Sequence, residues 1–200
     1  MISKEKYEKL KEAFGQKASW AVWAEGEGNT YIEFVRDLSV FEGPDLLDTL
    51  HNNFVVVGLN PSTEISKLKD HEGAWVNYHA GKNDYKLRHA FEGTPIWGAY
   101  MTDFYPNHFA STEDKLVVND KDTNLGVLEL KRELEILGGN PILIALGTEA
   151  YKQLNKYFSE YYEIYKISNH GRWAPKDSGG IELWITEVQN ILAELDNQKS

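Results

Sequence analysis

The 200-residue chain contains no cysteine. That absence excludes disulfides, thiolate metal sites and a cysteine nucleophile, and it fits a reducing, cytoplasmic setting. No apolar run approaches the roughly 18 residues that a membrane-spanning helix needs, and the opening residues Met1 to Lys6 lack a signal-peptide core. Phosphate-binding glycine fingerprints are also missing. Neither Gly138-Gly139 nor Gly147 belongs to a Walker or dinucleotide pattern, which argues against an NTPase. Positive charge is in short supply: 21 Lys and Arg face 31 Asp and Glu, a net charge of −10. Such a field repels polyanions and weighs against tight nonspecific nucleic-acid binding, although a local basic rim would still act within a Debye length.

What is present is the material of a core. Hydrophobic residues make up 42% and aromatics 12% of the chain, enough for one ordinary folded domain over residues 1–200. No repeat or linker divides it, and a soluble monomer is expected. Phe54 to Val57 is a continuous, β-branched-rich run without polar alternation, the pattern of a strand buried on both faces. It stops at Gly58-Leu59-Asn60-Pro61-Ser62, whose composition favours a turn. Gly98 to Phe104 reads as a second buried strand ending in Thr102 and Asp103. Pro141 to Leu146 reads as a third, and Tyr161 to Ile167 as a fourth that leads into Ser168-Asn169-His170-Gly171-Arg172-Trp173.

Helices are expected between them. Residues 3–14 place Tyr7, Leu10 and Phe14 on one face, and Leu125 to Leu137 carries Leu128, Leu130, Leu134 and Leu137 among charges. Further helical segments are Asp45 to Leu50, Lys86 to Phe91, Thr148 to Phe158 with Thr148 as a cap, and Ile181 to Leu195. Residues 110–123 read as a charged loop. Ser19 to Phe34 reads either as a short strand and hairpin or as an irregular cover over one sheet face, with Trp20 and Trp23 as buried plugs. Strands joined by helical or long crossovers imply an α/β fold, three layers around a four-stranded parallel sheet.

Three of the strands end in a polar residue at one sheet edge: Asn60, Asp103 and His170. Open α/β sheets bind ligands at the carboxyl ends of their strands, so these three are candidate functional residues. Residues 63–93 form a long loop holding Trp75, Tyr78, His79, Tyr85, His89 and Phe91, and loops of that length are commonly functional. His71, His79 and His89 match no compact metal-ligand spacing and read as surface or hydrogen-bonded histidines; no metal or cofactor is expected. Ser62 lacks a nucleophile elbow and reads as a turn hydroxyl. Asp45, Asp48, Glu133 and Glu135 read as solvated helix faces.

Taken together, Gly58-Leu59-Asn60-Pro61-Ser62, the aromatic loop, the strand ending in Thr102-Asp103, the Ile-Leu-Ile-Ala-Leu-Gly strand running into a helix, and the final loop with His170 resemble the uracil-DNA glycosylase superfamily, in its branches with a G-x-N-P first motif. The resemblance spans about Asn53 to the C-terminal helix. It implies a base-excision N-glycosylase acting on DNA or a nucleotide, in which Asn60 orients the attacking water and His170 stabilises the departing base. Gly58, Leu59, Pro61 and Ser62 complete the substrate-binding first motif. Trp75 or Tyr78 would stack on the flipped base, Asp103 would read its edge, and Arg172 and Trp173 would wedge into the DNA. Two departures accompany it. Asp103 stands where uracil-specific members carry Asn, and an ionised carboxylate accepts hydrogen bonds only, so a base other than uracil, a protonated Asp103 or a noncatalytic nucleobase-binding protein is implied. Asn169-His170-Gly171 also replaces the usual His-Pro-Ser.

Overall fold

The computed structural model describes residues 1–25, 35–63, 74–80, 83–110, 116–169 and 179–198. Its helices are α1 (Lys4–Phe14), α2 (Leu46–Thr49), α3 (Asp84–Phe91), α4 (Asp120–Leu137), α5 (Thr148–Phe158) and α6 (Gly179–Gln198). Its strands are β1 (Ser19–Trp20), β2 (His51–Gly58), β3 (Ala99–Asp103), β4 (Ile142–Leu146) and β5 (Ile164–Ile167). No helix among the described residues is long and apolar enough to cross a membrane.

The apolar run of β2 sits at the centre of the sheet, whose order is β1-β3-β2-β4-β5. Strands β2 to β5 are mutually parallel, with Val55 opposite Tyr100 on one side and Leu143 on the other. The expected sheet of four parallel strands therefore needs correction: β1 adds a fifth, antiparallel strand, with Ser19 opposite Met101 and Trp20 opposite Tyr100. A short strand was one of the two readings of Ser19 to Phe34, and two residues are too few for alternation to choose between them. Backbone bonds from Ala21 N–H to Ala99 O and from Gly98 N–H to Ala21 O extend that edge, covering backbone groups on β3.

Because successive side chains on a strand point to opposite faces, β2 feeds two cores. Val55 and Val57 pack with Tyr7, Leu10 and Phe14 of α1, Leu130, Leu134 and Leu137 of α4, and Leu154 and Phe158 of α5. Phe54 and Val56 pack with Leu87 and Phe91 of α3 and Trp184, Val188 and Leu192 of α6. The result is an α/β protein whose mixed sheet is flanked by helices on both faces. Chain direction and helix face reverse together: β2 to β3 runs one way with α3 on one face, and β3 to β4 returns past β2 with α4 on the other. That double reversal keeps the hand of the crossovers constant.

Element boundaries differ from expectation where polar residues do the work. Helix α4 begins at Asp120 inside the expected loop, because Asn119 and Asp122 form a capping box that apolar periodicity does not register. Strand β5 starts only at Ile164, since Tyr161 and Tyr162 spend their N–H groups on Phe158 O, closing the last turn of α5. The N-cap of α5 is Gly147 and not Thr148, which is its first helical residue.

Candidate functional site

In a doubly wound sheet, the crevice lies where strand order reverses. Here that point falls between the carboxyl ends of β2 and β4, bounded by Gly58-Leu59-Asn60 on one side and Leu146-Gly147 on the other. Gly147 takes φ +93°, a left-handed conformation favourable to glycine, and any Cβ there would press on Asn169 Cβ at 2.9 Å. Its N–H donates to Ile167 O at 2.8 Å, so the exit of β5 is drawn against the start of α5. Next in sequence is His170, which with Arg172 and Trp173 lies outside the described residues.

On the β2 side, parallel pairing continues past the strand ends, with Phe104 N–H donating to Gly58 O and Tyr105 N–H to Leu59 O, both at 2.9 Å. Asn60 therefore stands next to the exit of β3. Its Nδ2 donates to Pro61 O at 3.0 Å and Ala110 O at 3.1 Å. Two carbonyl acceptors fix which end of the amide is nitrogen, and Oδ1 is left as the atom of this side chain with no partner among the described residues. Leu59, Ser62 and Thr63 are half-buried around it, and Pro61 is buried.

Asp103 ends β3 opposite Gly58 and is 3% exposed. Its Oδ1 lies 2.9 Å from the Tyr78 hydroxyl, whose single proton is shared between this oxygen and Thr102 O at 2.8 Å, and its Oδ2 accepts from Asn77 Nδ2 at 2.8 Å. Asn77 Nδ2 also donates to Lys17 O at 2.7 Å, while its Oδ1 accepts from Tyr78 N–H, so this amide is oriented by its surroundings as well. Burial and the neighbouring Asp103 carboxylate push the Tyr78 phenol well above its ordinary value, keeping it a neutral donor. Gly58 makes the arrangement possible. A Cβ at that position would overlap both Asp103 Oδ1 and Tyr78 Oη.

The segment carrying Asn77 and Tyr78 is pinned from below. Trp75 N–H donates to Gly15 O at 2.6 Å, the Ser19 hydroxyl to Trp75 O at 3.0 Å, and Trp23 Nε1 to Tyr78 O at 3.1 Å. Trp75 (φ 76°) and Tyr78 (φ 64°) both hold left-handed backbone, a strained state for bulky residues that only dense contacts maintain. These contacts decide the placement of the two aromatic candidates. Trp75, 1% exposed, donates its indole N–H to the Tyr7 hydroxyl at 2.8 Å and packs among Tyr7, Trp20, Phe41 and Tyr100. Its ring belongs to the core. Tyr78 reaches the strand ends by its hydroxyl, while its ring packs in the core shared with α3 and α6. The structure thus brings together Gly58, Tyr78 and Asp103, places Asn60 two residues beyond Gly58 with its amide on Pro61 O and Ala110 O, and puts the Trp75 ring in the core.

Two residues escaped the sequence reading. Asn77 had no signal beyond lying between two aromatics. Glu133, expected on a solvated helix face, is 2% exposed. That expectation is corrected by a signal that was available: Glu133 lies on the same stripe as Leu130, Leu134 and Leu137, at spacings of three, one and four. Burial raises its carboxyl to about 8, opposed by the Thr102 and Tyr100 hydroxyls nearby and reinforced by Glu129 and Asp103. His79, as expected, is hydrogen-bonded, its ring nitrogens facing Val35 O at 3.2 Å and Trp20 O at 3.4 Å. His71 lies outside the described residues. Among the described residues no group of three or more His, Asp or Glu side chains could hold a metal ion.

A scan against models of known protein families finds no match to this chain, and a search among curated proteins finds none either.

Proposed function

We propose that this protein is a base-excision N-glycosylase-like hydrolase that binds a flipped or single-stranded nucleotide of DNA and hydrolyses its base-sugar bond without a metal. The observation that carries the reading is the fixed amide of Asn60, whose Nδ2 is held by two carbonyls while its Oδ1 has no partner among the described residues, just past the carboxyl end of β2 at the topological switch point. An amide oxygen accepts a hydrogen bond from water and orients it, but cannot take its proton, so catalysis rests on geometry and on leaving-group stabilisation. The water oxygen bonds to the anomeric carbon as the carbon–nitrogen bond breaks, the electron pair leaves with the base, and the proton the water sheds ends on the departed base, giving a sugar hydroxyl and the neutral base. His170 stabilises that charge. Asp103 is 3% exposed and bonded through both oxygens to Tyr78 and Asn77, so it reads the base edge only when the flipped base displaces one of these partners, and its acceptor character then favours a heterocycle that offers an N–H donor. Arg172 and Trp173 would fill the space left in the DNA.

A second reading, noncatalytic binding of a nucleobase or free nucleotide, draws support from the net charge of −10, which disfavours a long polyanion. The deciding experiment is alkaline cleavage of single- and double-stranded oligonucleotides containing uracil, hypoxanthine, xanthine or mismatched thymine. The hydrolase reading expects abasic product on at least one, reduced about 10²-fold in Asn60→Ala. Free-base binding with no product on any oligonucleotide establishes the second reading.

A further inference from the structure

The outer surface of α4 carries an exposed apolar stripe with an unusual order of charges. Lys121, Leu125, Leu128, Arg132 and Glu135 follow one another at steps of four and three, so at 3.6 residues per turn they span an arc of roughly 80°, opposite the buried Leu130, Leu134 and Leu137. All five are exposed, Leu125 at 43% and Leu128 at 65%. Phe109 and Val117, exposed as well, lie at the amino end of the same helix: the ion pair of His108 with Asp122 holds the first there, and the second sits two residues before the N-cap Asn119.

The charges of the stripe run against the helix that carries them. A macrodipole disfavours a cation in the first turn and an anion in the last, yet α4 has Lys121 in its first turn and Glu135 in its last, and neither forms an ion pair among the described residues. Both find opposite charge if a second α4 packs antiparallel across Leu128. A two-fold axis there sets Leu128 against its own copy, Leu125 against the stem of Lys131, and Lys121 against Glu135, each unlike pair occurring twice. Each charge also comes to lie beside the favourable end of the other helix. Sliding the pair until Leu125 faces Leu128 would bring Lys121 against Arg132, and a parallel pair would set like against like, so the charges select one register. The net charge of −10 repels a second copy over most of the surface, whereas this stripe holds two cations to one anion. We propose that α4 is the contact surface for a second copy of this chain, in an antiparallel, two-fold dimer centred on Leu128. One helix pair is at the small end of specific interfaces, so the dimer exchanges with monomer.

Sedimentation equilibrium of the whole chain tests it, over a concentration series reaching about 1 mM. The parent should dimerise within that range. Lys121→Glu and Glu135→Lys should each raise Kd about tenfold, because every dimer holds the pair twice, and the double variant with the charges exchanged should return to within about threefold of the parent. Leu128→Asp sets two carboxylates face to face on the axis and should abolish the dimer. These side chains are exposed in the single chain, so the variants keep their fold, which circular dichroism checks; where one fails to fold, the others decide. A chain that stays monomeric throughout leaves the stripe to a different partner and overturns the proposal. A dimer that survives Leu128→Asp, or whose single charge variants are not rescued by the exchange, overturns it too.

Discussion

Replacing Glu133 by Gln gives the sharpest physical test of the interior. The native carboxyl keeps its proton to about 8 against a starting value of 4.5, chiefly because burial disfavours the charge. Between those values the native state binds more protons than the unfolded one, so stability declines as pH rises through the window. Each pH step costs about 1.4 kcal/mol, and the loss from 4.5 to 7 amounts to roughly 3 kcal/mol, reaching roughly 5 kcal/mol above pH 8. Glutamine matches the protonated acid in shape and carries no titrating proton. Glu133→Gln should therefore equal the parent near pH 4.5, exceed it by roughly 3 kcal/mol at pH 7, and exceed it further at pH 9. Urea unfolding of both proteins at these three pH values measures the difference directly. A constant gap across the series would refute the claim that Glu133 is buried with its proton.

Gly58→Ala should lower stability by about 1–3 kcal/mol, as overpacking of a tight site does, and should push the Tyr78 hydroxyl away from both of its acceptors, Asp103 Oδ1 and Thr102 O, because the added methyl overlaps the hydroxyl and the carboxylate. Loss of the slowly exchanging phenolic proton in NMR spectra would report it; a variant with unchanged stability and an intact proton would contradict the close approach. His79 acts in the opposite pH range from Glu133. Burial lowers its imidazole to about 4, against the pull of Asp84 and two backbone carbonyls, so the unfolded state binds the extra proton as pH falls below 6.5. Stability should fall by roughly 3 kcal/mol between pH 6.5 and 4 on this account, and the ring's NMR shift should titrate near 4. Titration near 6.5 would mean that the two carbonyls hold a charged imidazolium.

The legible parts of the fold were those with strong local patterns. Val55, Val56 and Val57 announced a doubly buried strand, Ile142 to Leu146 announced another, and Leu130, Leu134 and Leu137 announced α4, because burial on a regular element repeats in sequence; Leu128, expected on the same face, is 65% exposed. The candidate edge followed from the same reasoning, since polar residues just after buried strands have few other places to go. Trp75 was harder. An aromatic in a long loop offers no periodicity, and only the contacts with Tyr7, Trp20 and Tyr100 put its ring in the core. Glu133 lay between the two cases: its stripe was readable, its neighbours were not.

The amino-acid order by itself settled the alternation of buried strands and amphipathic helices, and with it the parallel sheet and the location of Asn60 and Asp103 at strand ends. Tertiary structure alone decided that β1 joins as an antiparallel edge, that Asn77 and Tyr78 clamp Asp103, and that Glu133 faces Tyr100 and Thr102. The division has a physical cause. Periodic burial is imposed within a few residues, whereas a carboxylate's partners and its proton depend on groups that lie tens of residues away and meet it only when the chain has packed.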